Sequence, residues 1–256
     1  MSAEIRFAII ANPRTGTNHY IDLLNSHEEM TCHREVFHRD SVFLEDGTHD
    51  ELVAERNNDP AGFLQRLYQS SPTRVCGFKI FMDQNDDILN SVIDHPDIRK
   101  IVLFRPNLLA VHSSDQIAVA EQNWVEVADK ASVHVSKPAG TESGQKTRPK
   151  VVFDAQDFER RIFTYERHYK YVIDRLNETN QAYLFTTYED YTNDSFFRRA
   201  FPFLGLTQPN ITHSRIRRMN SGDILSRYEN PKDVREYLEK VGRMHWAHEG
   251  YMLWSS

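Results

Sequence analysis

Cysteine is scarce: Cys32 and Cys76 are the only two in 256 residues, so at most one disulfide can form. Both lie in segments that read as buried strands beside polar loops, which favours reduced thiols and a cytoplasmic protein. Long hydrophobic runs are missing too. The longest, Phe7 to Ala11 and Ile101 to Phe104, fall far short of the roughly 20 apolar residues a spanning helix needs. The first residues, Met1-Ser2-Ala3-Glu4-Ile5-Arg6, lack the basic and apolar regions of a secretory signal. No surplus of cations exists: the net charge is −6 and the pI about 6.1, which argues against duplex nucleic acid as partner. The cysteines, with His33 and His38 nearby, lack closed zinc-ligand spacing, so no metal site is expected. There is no internal repeat and no sustained low-complexity tract.

What is there is a soluble composition, 39% hydrophobic and 27% charged, with an uneven distribution of charge. Residues 1–128 carry 11 Lys+Arg and 20 Asp+Glu, net −9, whereas residues 129–256 carry 20 and 17, net +3. An anionic ligand would need cations from both halves, which favours one domain over 1–256 rather than two.

Short apolar runs alternate with helical patterns, the rhythm of a parallel sheet covered by helices. The runs are Ile5 to Ala11, Arg74 to Phe81, Lys100 to Phe104 and Ala182 to Thr187. Helices are expected from Asn18 to Asn25, from Pro60 with Asp59 as N-cap to about Gln69, from Asp86 to Ile93 and from Leu108 to Glu121. The longest is expected between Asp154 and Asn177, where Phe158, Ile162, Tyr165, Tyr169, Val172 and Leu176 recur in steps of four and three. That is the period of one helix face, and it reads as a packing stripe. Lys130 to Lys150, 21 residues rich in Lys, Ser, Thr, Gly and Pro with little apolar content, is either a functional flap or a disordered loop.

The most informative segment is Phe7 to Asn18, FAIIANPRTGTN. A buried strand ends, Pro13-Arg14-Thr15-Gly16-Thr17 turns tightly, and a helix begins at Thr17 or Asn18. Backbone N–H groups at the helix start, the close approach allowed by Gly16, the hydroxyls of Thr15 and Thr17 and the Arg14 guanidinium together make an anion site. It is not the ATP-binding loop with two glycines and a following Lys, because a single Gly16 is followed by Thr17 and Asn18.

Pro, Arg or Lys, Ser or Thr, Gly, Ser or Thr resembles the phosphosulfate loop of the sulfotransferases, whose donor is 3′-phosphoadenosine 5′-phosphosulfate (PAPS). That family's second signature is an Arg at a strand end and a Ser eight residues later, holding the donor's 3′-phosphate. In IVLFRPNLLAVHSSDQ, Arg105 follows the strand and Ser113 stands eight residues on, with Ser114 as its rival. Gly77-Phe78-Lys79-Ile80, Tyr188-Glu189-Asp190 and Phe203-Leu204-Gly205-Leu206 follow the family's order, and the resemblance is closest to the bacterial and carbohydrate-type branch.

The resemblance implies a P-loop kinase-like three-layer α/β fold with a parallel sheet of about five strands. It implies transfer of a sulfuryl group from PAPS to an acceptor hydroxyl, on a sugar or glycolipid, leaving adenosine 3′,5′-bisphosphate (PAP). Pro13, Arg14, Thr15, Gly16, Thr17 and Asn18 would hold the 5′ end, with Arg14 also on the leaving group. Arg105 and Ser113 would hold the 3′-phosphate, with Arg217 and Arg218 from the late basic cluster. Glu35, in Cys32-His33-Arg34-Glu35-Val36-Phe37-His38, matches the position of a carboxylate base. His33, His38 and His112 are alternatives, and His19, Trp124 and Tyr188 could border the site. The rival readings are a kinase with a degenerate loop and a nucleotide-binding protein without turnover.

Overall fold

Strand β1 (Ile5–Ala11) is central in a computed structural model that describes residues 2–122, 148–191, 197–208 and 220–249. Its seven residues are apolar at nearly every position, as a strand covered on both faces requires. It pairs in parallel with β3 (Val75–Phe81) and β4 (Ile98–Phe104); β2 (Met30–Glu35) flanks β3, and β5 (Tyr183–Thr187) flanks β4. The order is β2-β3-β1-β4-β5, all parallel, the five-stranded α/β sheet expected from the sequence.

Alternation along β1 sorts the core into two layers. Ala8 and Ile10 face α3 (Pro60–Gln69), α4 (Asp86–Asp94) and the later part of α6 (Ala155–Glu178), through Phe63, Leu67, Ile88, Val92, Val172 and Leu176. Phe7, Ile9 and Ala11 face α1 (Thr17–Leu24) and α8 (Ala200–Phe203), through Tyr20, Ile21, Leu24 and Phe201. Gly77 lies opposite Phe7 in the register, and a Cβ there would stand 2.4 Å from the Phe7 ring, so only glycine admits that ring. Asp59 caps α3 by accepting from the Gly62 amide, with Pro60 at the first position, as the sequence indicates. The short α2 (Val53–Asn58) precedes it.

β2 contains a defect with chemical consequences. Its pairing with β3 runs regularly from Met30 opposite Val75 to His33 opposite Phe78, then shifts, so that Glu35 instead of Arg34 stands opposite Lys79. A bulge of one residue thereby exchanges a cation for an anion beside a buried ammonium.

The described residues gather into two compact units with interleaved segments: Met1–Pro106 with Arg161–Ser214, and Asn107–Arg160 with Arg215–Ser256. The first holds the sheet. The second contains α5 (Leu108–Glu121), the first turns of α6 and α9 (Pro231–Lys240), packed through Phe153, Phe158, Tyr228, Tyr237 and Trp246. Residues 123–147, most of the polar 130–150 stretch and with it Trp124, lie outside the described residues, as do Arg217 and Arg218. Both cysteines are free and buried. Among the described residues no helix is long and apolar enough to cross a membrane.

Candidate functional site

In a parallel sheet, ligand crevices open at strand C-termini where successive connections leave in opposite directions. Here that point lies between β1 and β4, because the chain leaves β1 towards β2 and leaves β4 towards β5. Asn12 to Gly16 follow β1, and Arg105 follows β4.

The turn after β1 is tightly folded. Arg14 and Gly16 both have left-handed backbones, with φ of +64° and +83°. For Arg14 that conformation carries strain, and it is held: the Arg105 guanidinium donates from Nη1 to the Arg14 carbonyl at 2.9 Å. Arg105 in turn lies over the Tyr188 ring, 4.2 Å from its centroid. Tyr188 opens α7 (Tyr188–Tyr191), where the Thr187 and Asp190 side chains satisfy each other's backbone amides as a capping box. Thr15 is buried and its hydroxyl donates to the Asn12 carbonyl at 2.8 Å, closing the turn from within. Gly16 caps α1 without any side-chain cap, so the positive end of the helix meets the turn.

Helix α6 clamps this loop. Tyr165 donates to the Pro13 carbonyl at 2.5 Å, and His168 Nδ1 lies 3.2 Å from Asn12 Oδ1. The Tyr169 hydroxyl accepts from the Asn12 amide at 3.1 Å and donates to the Leu103 carbonyl at 2.6 Å, bridging the ends of β1 and β4. The aromatic stripe does pack, as its period indicates, and its hydroxyls also fix the loop, which periodicity cannot show. Asn12 Nδ2 is buried with no hydrogen-bond partner among the described residues, an orphaned donor at the foot of the turn of the kind a ligand satisfies.

Lys79 joins the loop to Glu35. It is fully buried in β3 on the α1 side of the sheet, with Nζ 2.8 Å from Asn18 Oδ1, 3.3 Å from Thr17 Oγ1 and 2.9 Å from Glu35 Oε1. The ammonium also sits over the Phe81 ring at 4.6 Å. Burial lowers the Lys79 pKa from its ordinary value, and the Glu35 carboxylate opposes that shift. Glu35 keeps 21% of its side chain exposed, and its Oε2 accepts from Gln84 at 2.9 Å. One carboxylate thus meets the ammonium of Lys79, the amide of Gln84 and open space. A carboxylate has about four acceptor positions, so capacity for a further donor remains.

The alternative histidines are placed differently. Burial pushes His33 down to about 4, and its Nδ1 accepts from the Glu45 amide at 3.0 Å, a structural role. His38 accepts from the Asp40 amide at 3.3 Å and packs its edge on Phe43. The segment between them is held by Arg56, whose buried guanidinium donates to the carbonyls of Val36, His38, Arg39 and Ser41.

In the second unit, Asn107 caps α5 by accepting from the Ala110 amide. Ser113, buried two turns into this helix, donates to the Ala110 carbonyl at 3.2 Å and accepts from Arg227 Nη1 at 3.0 Å. Arg227 is a cation the sequence reading passes over. Ser114 accepts from Asn220 at 3.2 Å, while Asn220 Oδ1 is buried without a hydrogen-bond partner among the described residues. His112 lies 2.9 Å from the Tyr228 hydroxyl through Nδ1 and 3.7 Å from Asp157 through Nε2, with aromatic rings around it. Among the described residues no cluster of His, Cys, Asp or Glu suits a metal ion.

No protein-family profile and no curated protein sequence matches the chain. Among solved structures, the chain is similar to the crystal structure of a sulfotransferase from Alicyclobacillus acidocaldarius, at 14% identity over 94% of each chain and a TM-score of 0.49.

Proposed function

We propose that the chain is a sulfotransferase that moves the sulfuryl group of PAPS to an acceptor hydroxyl, on a carbohydrate or glycolipid, with Glu35 as base. The observation that carries this reading is the buried Lys79 ammonium, shared between Thr17 and Asn18 at the start of α1 and the carboxylate of Glu35. It ties a proton acceptor to an anion-binding turn through contacts of 2.8 to 3.3 Å.

In the proposed reaction the acceptor oxygen forms a bond to sulfur as the bond from sulfur to the 5′-phosphate oxygen breaks. The hydroxyl proton passes to Glu35, and the electron pair of the broken bond stays on PAP. The charge growing there is met by the amides opening α1, by Arg14 and by the nearby Lys79. The positive φ of Gly16 and the orphaned Asn12 side-chain Nδ2 support a phosphate at this turn. In the second unit Ser113 takes the 3′-phosphate, and Arg227 joins it because its guanidinium already engages the Ser113 hydroxyl; Arg105 keeps the role that the family resemblance implies for it. Arg217 and Arg218 keep the same assignment.

A magnesium-dependent kinase fits less well. In that chemistry the hydroxyl opening the helix binds the metal, whereas here the Thr17 hydroxyl accepts from an ammonium that would repel one. The test is a mass-shift screen of mixed hydroxyl-bearing metabolites incubated with the protein and PAPS. A sulfated sugar or glycolipid product that forms only with the protein and PAPS together supports the reading. Turnover of ATP by the same pool, with none of PAPS, defeats it.

A further inference from the structure

We propose that Glu249 is an internal anion that occupies the Ser113–Arg227 cluster of the free protein and is displaced from the guanidinium when a 3′-phosphate binds. The proposal rests on the assignment of that cluster to the 3′-phosphate and adds a residue that sets its affinity.

The geometry is that of a filled site. The Arg227 and Glu249 side chains are only 2% and 4% exposed, with Arg227 Nη2 at 2.5 Å from Glu249 Oε1. Nη1 of the same guanidinium donates to Ser113, while Nε and Nη2 donate to the Ser221 carbonyl. A carboxylate and a phosphate present similar oxygens to such a fork of donors. A buried ion pair of this kind is weak evidence for stability, since its desolvation cost offsets its attraction, and a switching role explains its presence better.

Two further features make displacement feasible. Glu249 stands on a short antiparallel contact: its amide donates to the Gly222 carbonyl at 2.9 Å, and His248 bridges Asp223. Asn220 Oδ1, buried and without a hydrogen-bond partner among the described residues, lies on the Ser114 side of the cluster, where the packing is incompletely satisfied. A phosphate dianion arriving at Ser113 and Arg227 would bring two negative charges against the Glu249 carboxylate. At close range in a poorly solvated site the two anions cannot share one guanidinium without a large penalty.

Calorimetric titration of wild type and Glu249→Gln with PAP and with adenosine 5′-monophosphate tests this. Gln keeps the shape and a hydrogen-bond acceptor while removing the charge. Expected is about a tenfold tighter Kd for PAP in the variant, with the monophosphate unchanged. If wild type prefers PAP over the monophosphate and Glu249→Gln leaves or weakens that preference, the displacement is wrong and the 3′-phosphate assignment stands. If neither protein distinguishes the two nucleotides, both fall. Hydrogen exchange on the wild type needs no variant: PAP should speed exchange of the Glu249 amide, and the monophosphate should not. Protection of that amide by PAP overturns the proposal.

Discussion

Replacing Lys79 with Met should lower the stability of the protein by about 3 kcal/mol, because the change leaves one partner of a largely buried ion pair behind. Methionine keeps most of the volume in the strand, so the loss isolates the charge. Glu35 would retain Gln84 and partial access to water, which places the effect at the low end for broken buried pairs. Thr17 and Asn18 would lose a shared donor, loosening the start of α1. In urea, with a slope of about 1–3 kcal/mol per molar, the midpoint should fall by roughly 1 M or more. The double substitution Lys79→Met with Glu35→Leu should regain most of that loss, since removing both charges costs far less than removing one. A single-variant cost below about 1 kcal/mol would mean that the ammonium does not support the loop.

Glu35→Gln should reduce sulfuryl transfer by about a hundredfold to ten-thousandfold, the range for loss of a positioned general base. PAP should bind the variant as it binds wild type, since the substitution touches neither the loop amides nor Arg105. The amide would face the Lys79 ammonium poorly, so a modest loss of stability should accompany the loss of rate, and the folded fraction must be matched when rates are compared. Transfer at the wild-type rate would remove Glu35 from the mechanism and leave Lys79–Glu35 as a structural pair.

Much of the scaffold is legible in residue pattern alone, because it depends on local rules. β1 is bounded by its apolar run, α3 by Asp59 and Pro60, and α5 by its own pattern from Leu108 to Glu121. β2 is not among the apolar runs, since four of the six residues of Met30-Thr31-Cys32-His33-Arg34-Glu35 are polar. The turn from Pro13 to Thr17 and the carboxylate of Glu35 can be singled out from sequence, but not what connects them. Lys79 stands inside the otherwise apolar Val75–Phe81 strand, and its partners arrive from α1 and β2, roughly 40 to 60 residues earlier. Nor can pairing register be read from one strand: the shift after His33, which sets Glu35 opposite Lys79, is a property of two strands together. Arg227 lies in an unremarkable stretch, Ser226-Arg227-Tyr228, and its link to Ser113 spans 114 residues.

The most direct measurement is a calorimetric comparison of PAP with ATP plus magnesium on the wild-type protein. A sulfotransferase whose donor meets the Pro13–Asn18 turn and Lys79 should bind PAP at least about tenfold more tightly than ATP with magnesium. Tighter binding of ATP with magnesium, with no measurable binding of PAP, would contradict the sulfotransferase reading.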